Sequence, residues 1–228
     1  MRRKKRSSRR AALYVATIIG VAVLVAAGWS YSRGGDQKPV ILYVNQGNGR
    51  VGESNFGQML SFATAHGFNT VFFQVYRQGN LLFNGSELSF FVTSAHSDQL
   101  KIFFALYITN SSQPIPPAIF GLGEDGVSLD MSALSLPAQE SLLGDLGSCR
   151  CQTAVTTTDM LSPLRPDLLI LETYFPSQQQ YIKTGVIGSV GAFAVSNRPE
   201  YQQEFQYALG NSDGVMVFDY AGLLKSGY

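Results

Sequence analysis

Eight short runs rich in Val, Ile, Leu, Phe and Tyr recur between residues 40 and 219, and this series constrains the fold more than any other feature. They cover residues 40–44, 70–75, 101–108, 126–130, 152–157, 168–173, 185–193 and 214–219. Between the first two lies a stretch over 53–66 whose apolar positions Phe56, Met59, Leu60 and Ala63 follow helical spacing, with Gly67 to stop it. Helix patterns also fall over 87–97, 137–146 and 198–209. A helix joining two such strands is the βαβ unit, and nearly continuous apolar strands signal burial on both faces. Eight strands with intervening helices predict a compact, shortened (β/α)8 TIM-like barrel, with an open doubly wound sheet as the alternative. The connection from Thr157 to Leu168 is too short for a complete helix.

The N-terminus differs sharply in character. Arg2, Arg3, Lys4, Lys5, Arg6, Arg9 and Arg10 precede an apolar run from Ala11 to Trp29. A run of about 19 residues just spans a hydrocarbon core of roughly 30 Å, and the basic flank sets an N-in orientation. The expected organisation is a basic cytoplasmic segment over 1–10, a transmembrane signal anchor over 11–29, a linker over 30–38 and an extracytoplasmic barrel over 39–228. The bilayer is then a partner through residues 11–29, and the protein is a single-pass membrane protein. If the segment is removed as a signal peptide, with the small residues Val25, Ala26 and Ala27 near the cleavage point, the protein is secreted.

Seven of the 17 basic residues lie before residue 30 and all 16 acidic ones lie after it, leaving the domain with a net charge of −6. That balance excludes the electrostatic footprint of a nucleic-acid binder. Asn48 follows Gly47 and precedes Gly49, but no dinucleotide fingerprint, phosphate-binding loop or Gly-x-Ser-x-Gly elbow is present, so no cofactor is expected. His66 and His96 have no paired ligand motif, and no metal site is expected. Cys149 and Cys151 stand one residue apart, a spacing that strains a disulfide in an extended segment and predicts a structural or incidental pair. Asn84 and Asn110 sit in glycosylation sequons.

The functional signal is the position of the acids. Asp130 ends the fourth run, Glu172 lies near the end of the sixth and Asp219 ends the eighth. In a barrel the C-terminal strand ends converge on one face, so these three are the candidate catalytic residues. Paired carboxylates across a pocket supply an acid and a base or nucleophile for glycosidic cleavage. The alternative role is local: carboxylates at strand ends also cap the turns that follow. Glu124, Asp125 and Asp213 precede strands and belong to the opposite, stabilising end. Tyr43, Tyr76, Tyr107, Tyr174 and Tyr220 occur in or just after the runs. Tyr174 and Tyr220 fall nearest the mouth and are the candidate sugar-stacking rings, with Asn45, Gln74 and Arg77 adding polar contacts.

Three segments carry a family resemblance: 125–130 (DGVSLD), 166–174 (PDLLILETY) and 213–223 (DGVMVFDYAGL), with 188–193 between the last two. Together they resemble strands four, six, seven and eight of glycoside-hydrolase-like TIM barrels, including extracellular glycosidases. The resemblance implies that Asp130 is the acid closing the fourth strand and that Tyr174 lines the cleft. It implies a hydrolase acting on a polysaccharide or oligosaccharide, which the N-terminal segment would tether to the membrane. The alternative is a non-catalytic carbohydrate-binding or cell-envelope protein on an inactive barrel, with an envelope protein as a further candidate partner.

Overall fold

The computed structural model describes residues 37–47, 50–149, 151–159, 162–192, 198–225 and 227. Within the unit Lys38–Tyr228, eight parallel strands close into a barrel: β1 (Val40–Val44), β2 (Thr70–Arg77), β4 (Lys101–Tyr107), β5 (Gly126–Asp130), β6 (Gln152–Thr157), β7 (Leu168–Leu171), β8 (Ile187–Gly191) and β9 (Gly214–Phe218). A two-residue strand, β3 (Asn80–Leu81), adds antiparallel to the end of β2. Closure is direct, because β1 pairs in parallel with β2 on one side and with β9 on the other. The closed barrel removes the open-sheet alternative.

Alternation along each strand sorts the side chains into two layers. Ile41, Tyr43, Phe72, Phe103, Ala105, Ala154, Ile170, Ile187 and Met216 fill the barrel interior. Leu42, Val44, Val71, Phe73, Ile102, Phe104, Val127, Leu129, Val155, Val215 and Val217 face outward into the layer beneath the helices. Phe72 and Phe103 stack with ring centroids 4.8 Å apart. Gly126 beside them is required, since a Cβ there would collide with the Phe103 ring and lie 2.6 Å from the Gln152 carbonyl oxygen.

The outer ring is incomplete. Helix α1 (Glu53–Ala65) buries Phe56, Met59, Leu60 and Ala63, as its spacing predicts. Helix α2 (Gly85–Ser97) begins at Asn84, whose side chain accepts from the backbone N–H of Ser86 and of Glu87 while Glu87 accepts from the Asn84 N–H. Helices α3 (Leu136–Asp145), α4 (Arg198–Asn211) and the short α5 (Tyr220–Lys225) complete the set. Between β4 and β5 a 3-10 turn over Pro117–Ile119 replaces a helix, and between β7 and β8 one over Pro176–Tyr181 does so. Pro114, Pro116 and Pro117 explain the first case, because each removes an N–H and disfavours helix before it.

Two expectations are corrected here. Among the described residues no helix is long and apolar enough to cross a membrane. The longest of them, α4, has 14 residues and reaches about 21 Å, short of a hydrocarbon core. The segment 11–29, on which the signal anchor rested, lies outside the described residues. The transmembrane helix, the bilayer partnership and the single-pass or secreted location therefore have no structural support. Cys149 and Cys151 are the second case: they form a disulfide with Cα atoms 5.2 Å apart, within the ordinary range, because the chain turns at the end of a 3-10 helix instead of running extended.

Candidate functional site

A pocket of about 230 Å³ opens at the C-terminal face of the barrel. Its described lining is Tyr43, Asn45, Gln74, Arg77, Tyr107, Asp130 and Phe218, drawn from β1, β2, β4, β5 and β9. Gln74 and Arg77 share this pocket through a local irregularity. They are three residues apart, which in a regular strand puts them on opposite faces. The pairing of β2 with β4 shifts register between Gln74 and Tyr76, so Gln74 aligns with Ala105 and Arg77 with Tyr107. The bulge turns both side chains inward.

The rim is built by short-range hydrogen bonds. Gln74 Oε1 accepts from the Gln46 N–H at 3.0 Å, and Asn45 Oδ1 accepts from the Gly47 N–H at 2.7 Å. A Cβ on Gly47 would run into the Arg77 guanidinium, so glycine lets that side chain lie against the loop. The aromatic wall is continuous: the Phe218 ring centroid lies 4.8 Å from that of Tyr43 and 5.1 Å from that of Tyr174. Tyr43 is 2% exposed, with its buried hydroxyl beside Gln74, and the hydroxyls of Ser128 and Thr156 are buried and unpaired. Burial raises the Tyr43 phenol well above its usual range and the Asp130 charge pushes it further; a Gln74 side-chain hydrogen bond opposes the shift, and the Glu172 and Asp219 charges add to it. Tyr174 is raised by burial and by the Glu172 and Asp130 charges.

Asp130 and Glu172 belong to one electrostatic cluster. Burial raises Asp130 to about 6, partly offset by hydrogen bonds from Ser132, whose hydroxyl donates to Asp130 Oδ1 at 3.4 Å. Burial raises Glu172 to about 7, the Asp130 charge adds to the shift, and Ser132 again opposes it. Neither carboxylate forms a salt bridge among the described residues, where the ion pair found is His96 with Asp125 at 2.9 Å, at the opposite end of the barrel. Asp125 also accepts from the Ile102 N–H, Glu124 from the Gly121 and Leu122 N–H groups, and Asp213 from the Gly185 N–H. These three stabilise local turns.

The structure thus brings together Asp130, Asn45, Gln74 and Arg77, and sets Glu172 and Tyr174 in the same electrostatic neighbourhood. It separates Tyr220 from them, and it commits Asp219, whose charge still reaches Tyr43, to a turn. Asp219 is 1% exposed and its Oδ1 accepts from the Gly222 N–H at 2.8 Å, holding the turn into α5. Tyr220 begins α5 and packs edge-on against Phe62 of α1, outside the barrel. Tyr76 also faces outward, its hydroxyl donating to the Pro114 carbonyl at 2.9 Å. Phe218 and Ser132 are site residues that sequence reasoning missed. Tyr43 and Tyr107 carried a usable signal, since each lies two residues beyond an inward-facing position, Ile41 and Ala105.

The membrane-tethered hydrolase with paired carboxylates is overturned by this geometry. Among the described residues the pocket lining contains one carboxylate, Asp130, where cleavage needs two facing each other across the bond. Asp219 is committed to a backbone N–H.

A group of Glu124, Cys149 and Cys151 has ligand atoms within 4.8 Å of one another, but both sulfurs are held in the disulfide and Glu124 is engaged by two backbone N–H groups. No family model and no curated protein matches the chain. Among solved structures it is weakly similar to the GH18 chitinase ChiB from the chitin utilization locus of Flavobacterium johnsoniae, with TM-score 0.47 and 13% identity over 82% of this chain and 89% of that one. It is similar to the same degree to a tetrameric deoxyribose phosphate aldolase from Aeropyrum pernix, with TM-score 0.48 and 9% identity over 82% and 86% of the two chains. The likeness is to barrel folds, a glycosidase among them, and assigns no specific family.

Proposed function

We propose that the mouth of this barrel binds carbohydrate without cleaving it. The observation that carries the reading is the joint lining of one small pocket by aromatic faces (Tyr43 and Phe218), amides (Asn45 and Gln74), the Asp130 carboxylate and the Tyr43 phenol hydroxyl. Sugars present an apolar ring face together with hydroxyls that both donate and accept. Aromatic rings match the first, and amides and carboxylates match the second. At about 230 Å³ the pocket is smaller than a site for a drug-sized ligand, so it suits one sugar ring and not an extended chain.

The test is calorimetric titration of the full chain with a panel of mono- and oligosaccharides, with product analysis on the same mixtures. Binding is expected without product release. Y43F keeps the ring and removes the hydroxyl, and should weaken binding about tenfold, the equivalent of one good hydrogen bond. Release of shorter glycans would overturn the non-catalytic reading. Absence of binding across the whole panel would sink the carbohydrate reading.

A further inference from the structure

At the face of the barrel opposite the mouth, two loops bring sulfur and carboxylate together. Glu124 precedes β5, and Cys149 and Cys151 precede β6. Gly126 and Gln152 are partners in the parallel register, and the Gln152 N–H donates to the Asp125 carbonyl at 3.1 Å. The two loops are thereby tied side by side at the strand bases. The sulfurs of Cys149 and Cys151 and a carboxylate oxygen of Glu124 lie within 4.8 Å of one another. Glu124 is 9% exposed and forms no salt bridge among the described residues. Its two oxygens accept from the Gly121 and Leu122 N–H groups, one each, which fixes the carboxylate and leaves every oxygen a further lone pair. The disulfide bridges residues that the chain already keeps close, so it restrains the unfolded chain less than a long-range bridge would. Stapling the fold is therefore a weak role for this pair. Half-buried sulfurs beside a fixed, buried carboxylate are better matched to a metal ion.

We propose that the Cys149–Cys151 disulfide is the oxidised form of a zinc site, opened by a dithiol reductant and completed by Glu124. Reduction breaks the S–S bond with two electrons and two protons from the dithiol, which closes to its own disulfide, and leaves two thiols on the protein. Zinc then displaces both thiol protons and takes two thiolates and one Glu124 oxygen, with water as the fourth ligand. Two soft thiolates select zinc over calcium or magnesium. Ligands on one tetrahedral zinc stand about 3.5–4 Å apart. The freed sulfurs must therefore separate, while the carboxylate needs to approach by roughly 1 Å at most. In the oxidised protein neither sulfur is a thiolate, so the redox state of the pair decides whether the site can be filled. The site lies away from the mouth and is independent of the carbohydrate reading.

The experiment is metal titration of the full chain, oxidised and after reduction by a dithiol that is removed before metal is added. Cobalt(II) is the probe, because thiolate ligands give it a charge-transfer band in the near ultraviolet. The chain has two cysteines, so the band reports this site alone. Reduced protein should bind one cobalt ion per chain with that band, and zinc should displace it. The oxidised chain should show no band. E124Q, reduced, should bind zinc about tenfold or more weakly, since even an outer-shell partner of a metal ligand is worth that much. Near-UV circular dichroism of the oxidised variant establishes that it is folded. Zinc-edge X-ray absorption of the reduced parent needs no variant and should count two sulfur and two oxygen neighbours. Absence of the band after reduction overturns the proposal, as does equal cobalt binding by the oxidised chain. Zinc affinity unchanged in folded E124Q, or a zinc edge without two sulfurs, overturns the three-ligand site.

Discussion

Two buried carboxylates couple stability to pH at the residue scale. The native-state values of Asp130 and Glu172 lie above the ordinary carboxylate range, at about 6 and about 7. The folded protein therefore holds more protons than the unfolded chain between about pH 4 and pH 7. Stability contributed by the protonated acids is present at the low end of that window and is lost as pH rises through it. D130N and E172Q remove the buried charge and should stabilise the protein at pH 8 by roughly 1–3 kcal/mol, with the gain shrinking toward pH 4.5. Urea unfolding at the two pH values checks this, and a variant less stable than the parent at pH 8 contradicts it. The positions of these acids at strand ends were legible in the sequence. Their desolvated environment was not, because burial comes from residues on separate strands and loops.

Local rules account for most elements, and their failures have named causes. Helix α1 follows from four apolar residues at helical spacing. Helix α2 starts two residues earlier than its apolar pattern, because the Asn84 cap and the Glu87 side chain satisfy the first-turn N–H groups. N84A should cost about 1 kcal/mol of stability while N84D costs little, measured by urea unfolding at pH 7. An unchanged N84A would show that tertiary packing alone holds that end. Where prolines cluster, as at Pro114, Pro116 and Pro117, a 3-10 turn takes the place of a helix. The bulge in β2 is the one element-level feature with functional weight, since it delivers both Gln74 and Arg77 to the mouth. No spacing rule in the sequence announces it, because a bulge is set by what the neighbouring strand offers for pairing.

Closure of the whole barrel makes side chains from distant strands share one interior, where a small change acts through that shared space. Gly126 admits the Phe103 ring, so G126A should destabilise by roughly 1–3 kcal/mol through overpacking. G144A, in α3 with open space around its Cβ position, should stabilise by about 0.5–1 kcal/mol through helix propensity. Thermal unfolding of the two variants beside the parent tests the opposite signs, and equal shifts would mean that the interior repacks freely. The sequence by itself determined eight strands, their order, the principal helices and the acids at strand ends, because periodicity, capping and chain punctuation are properties of neighbours in the chain. Tertiary structure decided that β1 meets β9 and that Tyr43, Tyr107 and Phe218 line the mouth while Tyr220 leaves it for Phe62. It also decided that Asp219 caps a turn while burial raises Asp130 and Glu172. Those outcomes depend on strand register and on through-space desolvation, which arise only when residues far apart in the chain are brought together.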